Sequence, residues 1–209
     1  MSYTGEQNQQ RLYAGYQRVA EQLGTDHVVY PFRLLDPLNI NNVGSTIKSS
    51  FTADPGYHSP LKYNKPVWIA YLDGNLVNQF DFLSGDYGTY YIADKQPMQP
   101  MQAVRTNRIL SLSRGSYSTE GEVTENVVKY ADLLPAFMQF AREDIQRPNT
   151  QFGQQIGRAT THWTAFIPAP DGSISQDDIA IDEYGIKYVI DAPDFTNAGY
   201  VVRLRLATV

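Results

Sequence analysis

The stretch Gln79-Phe80-Asp81-Phe82-Leu83-Ser84-Gly85-Asp86-Tyr87-Gly88-Thr89-Tyr90-Tyr91-Ile92 decides the fold, because it occurs twice. It returns as Gln176-Asp177-Asp178-Ile179-Ala180-Ile181-Asp182-Glu183-Tyr184-Gly185-Ile186-Lys187-Tyr188-Val189. Gln79, Asp81, Tyr87, Gly88 and Tyr91 fall on Gln176, Asp178, Tyr184, Gly185 and Tyr188, while Asp86 meets Glu183 and Ile92 meets Val189. Such self-similarity is the first thing to settle in a chain, since it fixes the unit from which the fold is built. A strand opens in Gln-x-Asp, and an acidic-Tyr-Gly turn follows, where glycine supplies a positive φ. The next strand leads with an aromatic residue.

Outward from that block the match continues. Trp68-Ile69-Ala70-Tyr71 answers Trp163-Thr164-Ala165-Phe166, Asp73-Gly74 answers Asp171-Gly172 after a slightly longer loop, and Val104-Arg105 lies opposite Val202-Arg203. Val67–Leu72 is a short apolar run closed by a hairpin signal, Asp73-Gly74. Gln79–Leu83, Thr89–Ala93, Ala103-Val104 and Ile109–Leu112 read as further strands. The chain is therefore expected to be mainly β, with tandem duplicated small β-barrel-like units, an N-terminal α-helix and an extended arm. Segments 67–112 and 162–208 should superpose. Trp68, Tyr87, Gly88 and Tyr91 in one unit, with Trp163, Tyr184, Gly185 and Tyr188 in the other, are the expected structural core. A unit of roughly fifty residues has a marginal core by itself, so each needs a further surface to pack on.

The flanks divide the chain into 1–66 (helix and arm), 67–114 (first β-unit), 115–160 (connector or arm) and 161–209 (second β-unit). Leu12, Tyr13, Tyr16, Val19, Ala20 and Leu23 recur at helical steps, with Ser2 or Thr4 as cap and Gly24 as stop. Residues 30–66 carry five prolines and many apolar side chains. They read as an arm lying on a neighbour, with Phe32, Leu34, Leu35 and Phe51, together with Tyr13 and Tyr16 of the helix, as candidate interface residues. Two short strands, His27–Tyr30 and Ser45–Phe51, fit within or beside it. Val127–Ala141 suits a helix or an extended arm, Pro135 opposing the helix. Arg147–Gly157 reads as a flexible connector.

Of 209 residues, 42% are hydrophobic and 19% charged, the balance of a globular chain, and fifteen Tyr and nine Phe tilt it towards sheet. The net charge of -5 gives no sign of a duplex-binding stripe. Arg105, Arg108 and Arg114, and Arg203 with Arg205, read as solvated strand edges. The absence of cysteine removes disulfides, thiolate metal sites and cysteine nucleophiles. The N-terminus lacks the basic and apolar regions of a signal peptide, and no apolar run reaches the ~18–20 residues that span a bilayer.

Chemistry is sparse. His27, His58 and His162 lie far apart, without metal-ligand spacing. Gly153–Thr160 lacks the spacing and the lysine of a phosphate loop. Asp177, Asp178, Asp182 and Glu183 could hold calcium or act as acid and base. The first unit has Phe80 and Gly85 in place of Asp177 and Asp182, so solvated turn acids are the expected reading. No catalytic residue, cofactor or metal is expected, and the chain is expected not to be an enzyme.

Two blocks resemble the β-units of tailed-bacteriophage virion proteins. The first runs from Val67 to Arg108, with its Trp strand, Gln79-Phe80-Asp81-Phe82-Leu83, Thr89-Tyr90-Tyr91-Ile92-Ala93 and the Gln96–Arg108 run. The second, Asp182–Ile190 followed by Tyr200-Val201-Val202-Arg203-Leu204, is similar to the small barrels of head-closure and tail-joining proteins. The resemblance covers about half the chain and rests on strand-turn-strand patterns. It implies a non-catalytic structural protein of the head–tail connector or neck, or of the tail. Such a protein is assembled in the bacterial host cytoplasm into a ring of copies and resides in the virion. Its partners are portal, adaptor or tail proteins, with no sequence-specific nucleic-acid binding and no membrane. An acidic conduit would not retain passing DNA. A capsid cement or baseplate component is the alternative within that class, and a non-catalytic binding module that holds a sugar or peptide is the alternative outside it.

Overall fold

The computed structural model describes residues 3–53, 66–117, 123–142 and 161–207. The chain opens with α1 (Tyr3–Leu23), which Gly24 ends: its amide bonds back to the Ala20 carbonyl, and an added Cβ would collide with that oxygen. Twelve strands follow: β1 (Thr25–Tyr30), β2 (Thr46–Ala53), β3 (Val67–Tyr71), β4 (Phe82–Gly85), β5 (Gly88–Asp94), β6 (Met101–Arg105), β7 (Arg108–Tyr117), β8 (Val123–Arg142), β9 (Thr161–Ile167), β10 (Ile179–Asp182), β11 (Lys187–Thr196) and β12 (Gly199–Leu206).

They close into two six-stranded barrels, ordered β1-β2-β3-β6-β5-β4 and β7-β8-β9-β12-β11-β10. The second order is the first with each strand replaced by the one six places later, so the duplication extends to topology. It extends to register as well. Trp68 stands opposite Ala103 as Trp163 stands opposite Leu204. Ala53 faces Trp68 as Phe140 faces Trp163. Leu83 lies between Val29 and Tyr90 as Ala180 lies between Leu112 and Tyr188. A bulge interrupts β5 between Ile92 and Asp94, and another interrupts β11 between Ile190 and Ala192. Bulges are placed features of a strand, so their recurrence marks one ladder used twice.

The repeat unit is thus twice as long as the sequence motif. Segments 67–112 and 162–208 contain only the second half of each barrel, and Ile109–Leu112 belongs to β7 of the second barrel. The first barrel begins at β1, and its β2 lies inside the segment read as an arm. Residues 115–160 hold all of β8, a barrel strand on which Pro135 is tolerated beside the irregularity at Leu133, whose φ is 49°. Asp73-Gly74 forms no hairpin: Asp73 caps a short 3-10 turn, and the chain then crosses to β4. The Gln- and Gly-rich connector, 147–157, lies outside the described residues, as do 153–160 and His58.

Each barrel has a closed interior. Val29, Ile47, Ala70, Leu72, Leu83, Tyr90, Ile92, Met101 and Ala103 fill the first. The opposite faces of β4, β5 and β6 carry Phe82, Tyr91, Ala93 and Val104, which join the apolar cluster of the second barrel. The barrels therefore supply each other's packing surface, which a unit this small requires. Residues 30–45 add to that junction. Phe32, Leu34 and Leu38 pack against the joint cluster, the Asp132 amide donates to the Leu34 carbonyl at 3.0 Å, and the Asp36 amide donates to the Asp132 carbonyl at 2.8 Å. The surface on which this segment lies is the chain's own second barrel.

Candidate functional site

The Gln-x-Asp motif folds into one turn in both barrels. The Asn78 amide donates to Asp81 Oδ2 at 2.7 Å, and the Ser175 amide donates to Asp178 Oδ2 at 2.8 Å. The preceding residue is left-handed in both, Phe80 at φ 70° and Asp177 at φ 66°, and its amide bonds across to Ile92 or Ile190. The aspartate caps a turn whose backbone would otherwise be unsatisfied.

The acidic group is spent on such duties. Asp178, 1% exposed, accepts two hydrogen bonds from Arg114, at 2.8 Å each, and one from the Tyr130 hydroxyl at 2.9 Å. That arrangement holds the Arg114 guanidinium firmly protonated and pushes the Tyr130 hydroxyl up, the latter mainly through burial. Asp182 accepts from the Tyr184 and Ile186 amides and from the Tyr188 hydroxyl, and burial with the Asp182 charge pushes Tyr188 up to about 12. Glu183 accepts from the Ile109 amide and faces Arg108. Asp178 and Asp182 are therefore buried and bound into the frame, in place of the solvated turn acids expected from sequence, whereas Asp177 and Glu183 are exposed as that reading expects. No group of His, Asp and Glu among the described residues is arranged to hold a metal ion, and no helix is long and apolar enough to cross a membrane.

The residues expected in the core divide. Tyr91 and Tyr188 are buried, but Tyr87 and Tyr184 are 67% and 70% exposed at the tips of their turns, followed by left-handed Gly88 and Gly185. Trp68 and Trp163 occupy equivalent rungs and are half-buried, each edge-on to a tyrosine, Tyr90 at 6.3 Å and Tyr188 at 6.2 Å. The equivalent of Tyr188 is thus Tyr90. Tyr91 faces the other way, onto the second barrel. The candidate interface residues are mostly used within the chain. Tyr13 lies over Gly74, Tyr16 meets Tyr71 edge-on at 5.5 Å, Phe32 meets Phe80 at 5.6 Å, Leu34 joins the junction, and Phe51 stacks on Tyr90. Leu35 alone of this set is largely exposed.

One end of the first barrel holds what the sequence motifs did not reveal. A cavity of about 190 Å³ opens between Leu23, Thr25, His27, Ser49, Ser50, Phe51, Tyr87 and Tyr90. Phe51 and Tyr90 stack in parallel at 3.8 Å, and His27 stands edge-on to Phe51 at 5.2 Å. His27 Nδ1 lies 2.8 Å from the Ser49 hydroxyl and 3.1 Å from the Thr25 carbonyl. Its Nε2 is buried and has no hydrogen-bond partner among the described residues. Whichever nitrogen carries the proton, one ring atom is left unmatched, at a cost of about 1–3 kcal/mol. Burial pulls the imidazole below its ordinary pKa, so the ring is neutral near pH 7.

The second barrel places different side chains on the same rungs. By strand register, Leu110 stands where His27 does, Ala136 where Ser49 does, and Met138 where Phe51 does. At the end of the fourth strand Gly85 corresponds to Asp182, whose carboxylate reaches the tyrosine hydroxyl. The only sequence signal for the difference was the Gly85–Asp182 mismatch inside the repeat. No family model, curated protein or solved structure matches this chain.

Proposed function

We propose that this chain is a structural protein of a tailed-bacteriophage virion that assembles as a ring of copies at the head–tail interface or in the tail. The phage assignment rests on the resemblance of the strand-turn-strand blocks, and the geometry adds support for an assembly role. The observation that carries it is the ribbon of β7 and β8. The neighbour of β7 across the barrel, β10, pairs only with Leu110–Ser113, while β8 continues to pair with β7 through Tyr117 and Val123. A two-stranded ribbon therefore runs on past the barrel, its outer edges unpaired among the described residues and suited to another chain's strand. The two barrels behind it share one apolar cluster, which gives the ribbon a firm base.

Mass photometry and negative-stain imaging of the purified protein test this. The proposal predicts closed rings, or a monomer that forms rings when the portal or adaptor protein is added. A chain that stays monomeric with those proteins and is absent from purified particles would refute it. Shortening the ribbon by joining Gly115 to Val127 through a two-residue turn, which keeps Arg114 on Asp178, should leave both barrels folded and abolish ring formation.

A further inference from the structure

We propose that the mouth of the first barrel is a binding site for a single neutral sugar ring, a property that goes beyond a scaffolding role. The inference rests on the comparison the molecule makes with itself. Two barrels share a ladder rung for rung, and one carries Leu110, Ala136 and the Asp182–Tyr188 hydrogen bond at this end. The other leaves a cavity there and lines it with His27 and Ser49, a buried polar pair with an unmatched ring nitrogen. Two aliphatic side chains would serve the fold at least as well, as the second barrel demonstrates. The polar pair is thus a departure from the fold's own solution, at the mouth of a barrel, where ligands commonly bind.

The lining sets the ligand class. It offers the rings of Phe51, Tyr87 and Tyr90, the hydroxyls of Thr25, Ser49, Ser50 and the two tyrosines, and one neutral imidazole. Among the described residues no charged side chain lines it, so an ionic ligand would lose hydration without a counter-charge. The exposed Tyr87 ring presents a face whose negative quadrupole suits the polarised C–H face of a pyranose, while the lining hydroxyls both donate and accept towards its hydroxyls. The volume is below the ~300–1,000 Å³ of pockets for drug-sized ligands, which limits the buried part to one ring.

Saturation-transfer NMR on the intact chain tests the site, with the methyl glycosides of glucose, galactose and mannose and with N-acetylglucosamine as probes, and phenol and indole as controls. The expected result is saturation transfer to at least one sugar, with shifts at Ser49, Phe51, Tyr87 and Tyr90 and none at Leu110, Ala136 or Met138. The double variant His27→Leu, Ser49→Ala, which copies the second barrel, should weaken that sugar by at least about tenfold. Phe51→Met, copying Met138, provides a second variant that keeps the polar pair and should also weaken it. Binding of phenol or indole in place of every sugar, no response from any sugar, or sugar binding unchanged in the double variant would overturn the proposal.

Discussion

The first and second barrels share a ladder and differ in what they place inside it. In the second barrel both buried carboxylates flanking the fourth strand are answered: Asp178 by Arg114, Tyr130 and the Ser175 amide, and Asp182 by Tyr188 and two amides. In the first barrel Asp81 caps the same turn and also accepts from the Phe32 amide at 3.0 Å, but Gly85 brings no carboxylate to Tyr90, and His27 retains an unmatched nitrogen. The backbone pattern tolerates either solution. The difference is therefore informative about what each barrel is used for, because the fold alone does not require it.

The sharpest way to break the equivalence is at the two capping aspartates. Asp178→Ala removes the acceptor of a half-buried tyrosine hydroxyl, the main partner of a half-exposed guanidinium and the cap of the Ser175 amide, and should cost about 3 kcal/mol in urea unfolding. Asp81→Ala removes two backbone bonds only and should cost about 1–2 kcal/mol. The order would reverse if the first barrel were the more tightly knit.

The tryptophans test the equivalence from the other side. Each is half-buried on the same rung against a tyrosine edge, so Trp68→Ala and Trp163→Ala should each cost about 2 kcal/mol, below the range for fully buried aromatics. Thermal unfolding of the two variants should agree within about 0.5 kcal/mol. A gap of more than about 1.5 kcal/mol would mean that the shared rung hides different packing.

Replacing His27 and Ser49 together by the leucine and alanine of the second barrel should leave stability unchanged or raise it by about 1 kcal/mol, since both partners of a polar pair go at once. Single Ser49→Ala should lower it, because Nδ1 then loses its closest neighbour. The same histidine gives the smallest effect, a pH dependence. Its folded-state pKa lies below its unfolded value, so the unfolded chain binds more protons as pH falls through about 6.5. Stability should therefore fall on acidification from pH 7 towards 5, by no more than about 1.4 kcal/mol per pH unit. The double variant should lose this part of the slope, as measured by urea midpoints across that range.

The second halves of the barrels were legible in the sequence because their turns are held by side chains that cannot be exchanged freely: Asp81 and Asp178 cap, and Gly88 and Gly185 take positive φ. The first halves carry no such marks. Their strands correspond by position alone, His27 and Val29 with Leu110 and Leu112, and one pair is hidden among prolines while the other contains Pro135. The aligned motif also slips by one residue after the turn. Gly85 pairs with Gly88 across a two-residue turn, but the matching turn after Asp182 is longer, with the Asp182 amide bonded to the Ile186 carbonyl. Because strand side chains alternate, a slip of one exchanges inside for outside. Tyr91 was therefore matched to Tyr188, when Tyr90 is the inward-facing partner. Likewise Val104-Arg105 was matched to Val202-Arg203, when the ladder places Ala103 with Leu204. The cavity could not be read at all, since it arises from what Gly85, His27 and Ser49 do together across three strands.

The central claim is that one ladder is used twice, and cross-strand NMR contacts test it most directly. Backbone contacts should join Trp68 to Ala103 and Trp163 to Leu204, with the irregularity in β5 falling after Ile92 and that in β11 after Ile190. Contacts from Trp163 to Arg203 or Val202 in place of Leu204 would shift the second register and contradict the account.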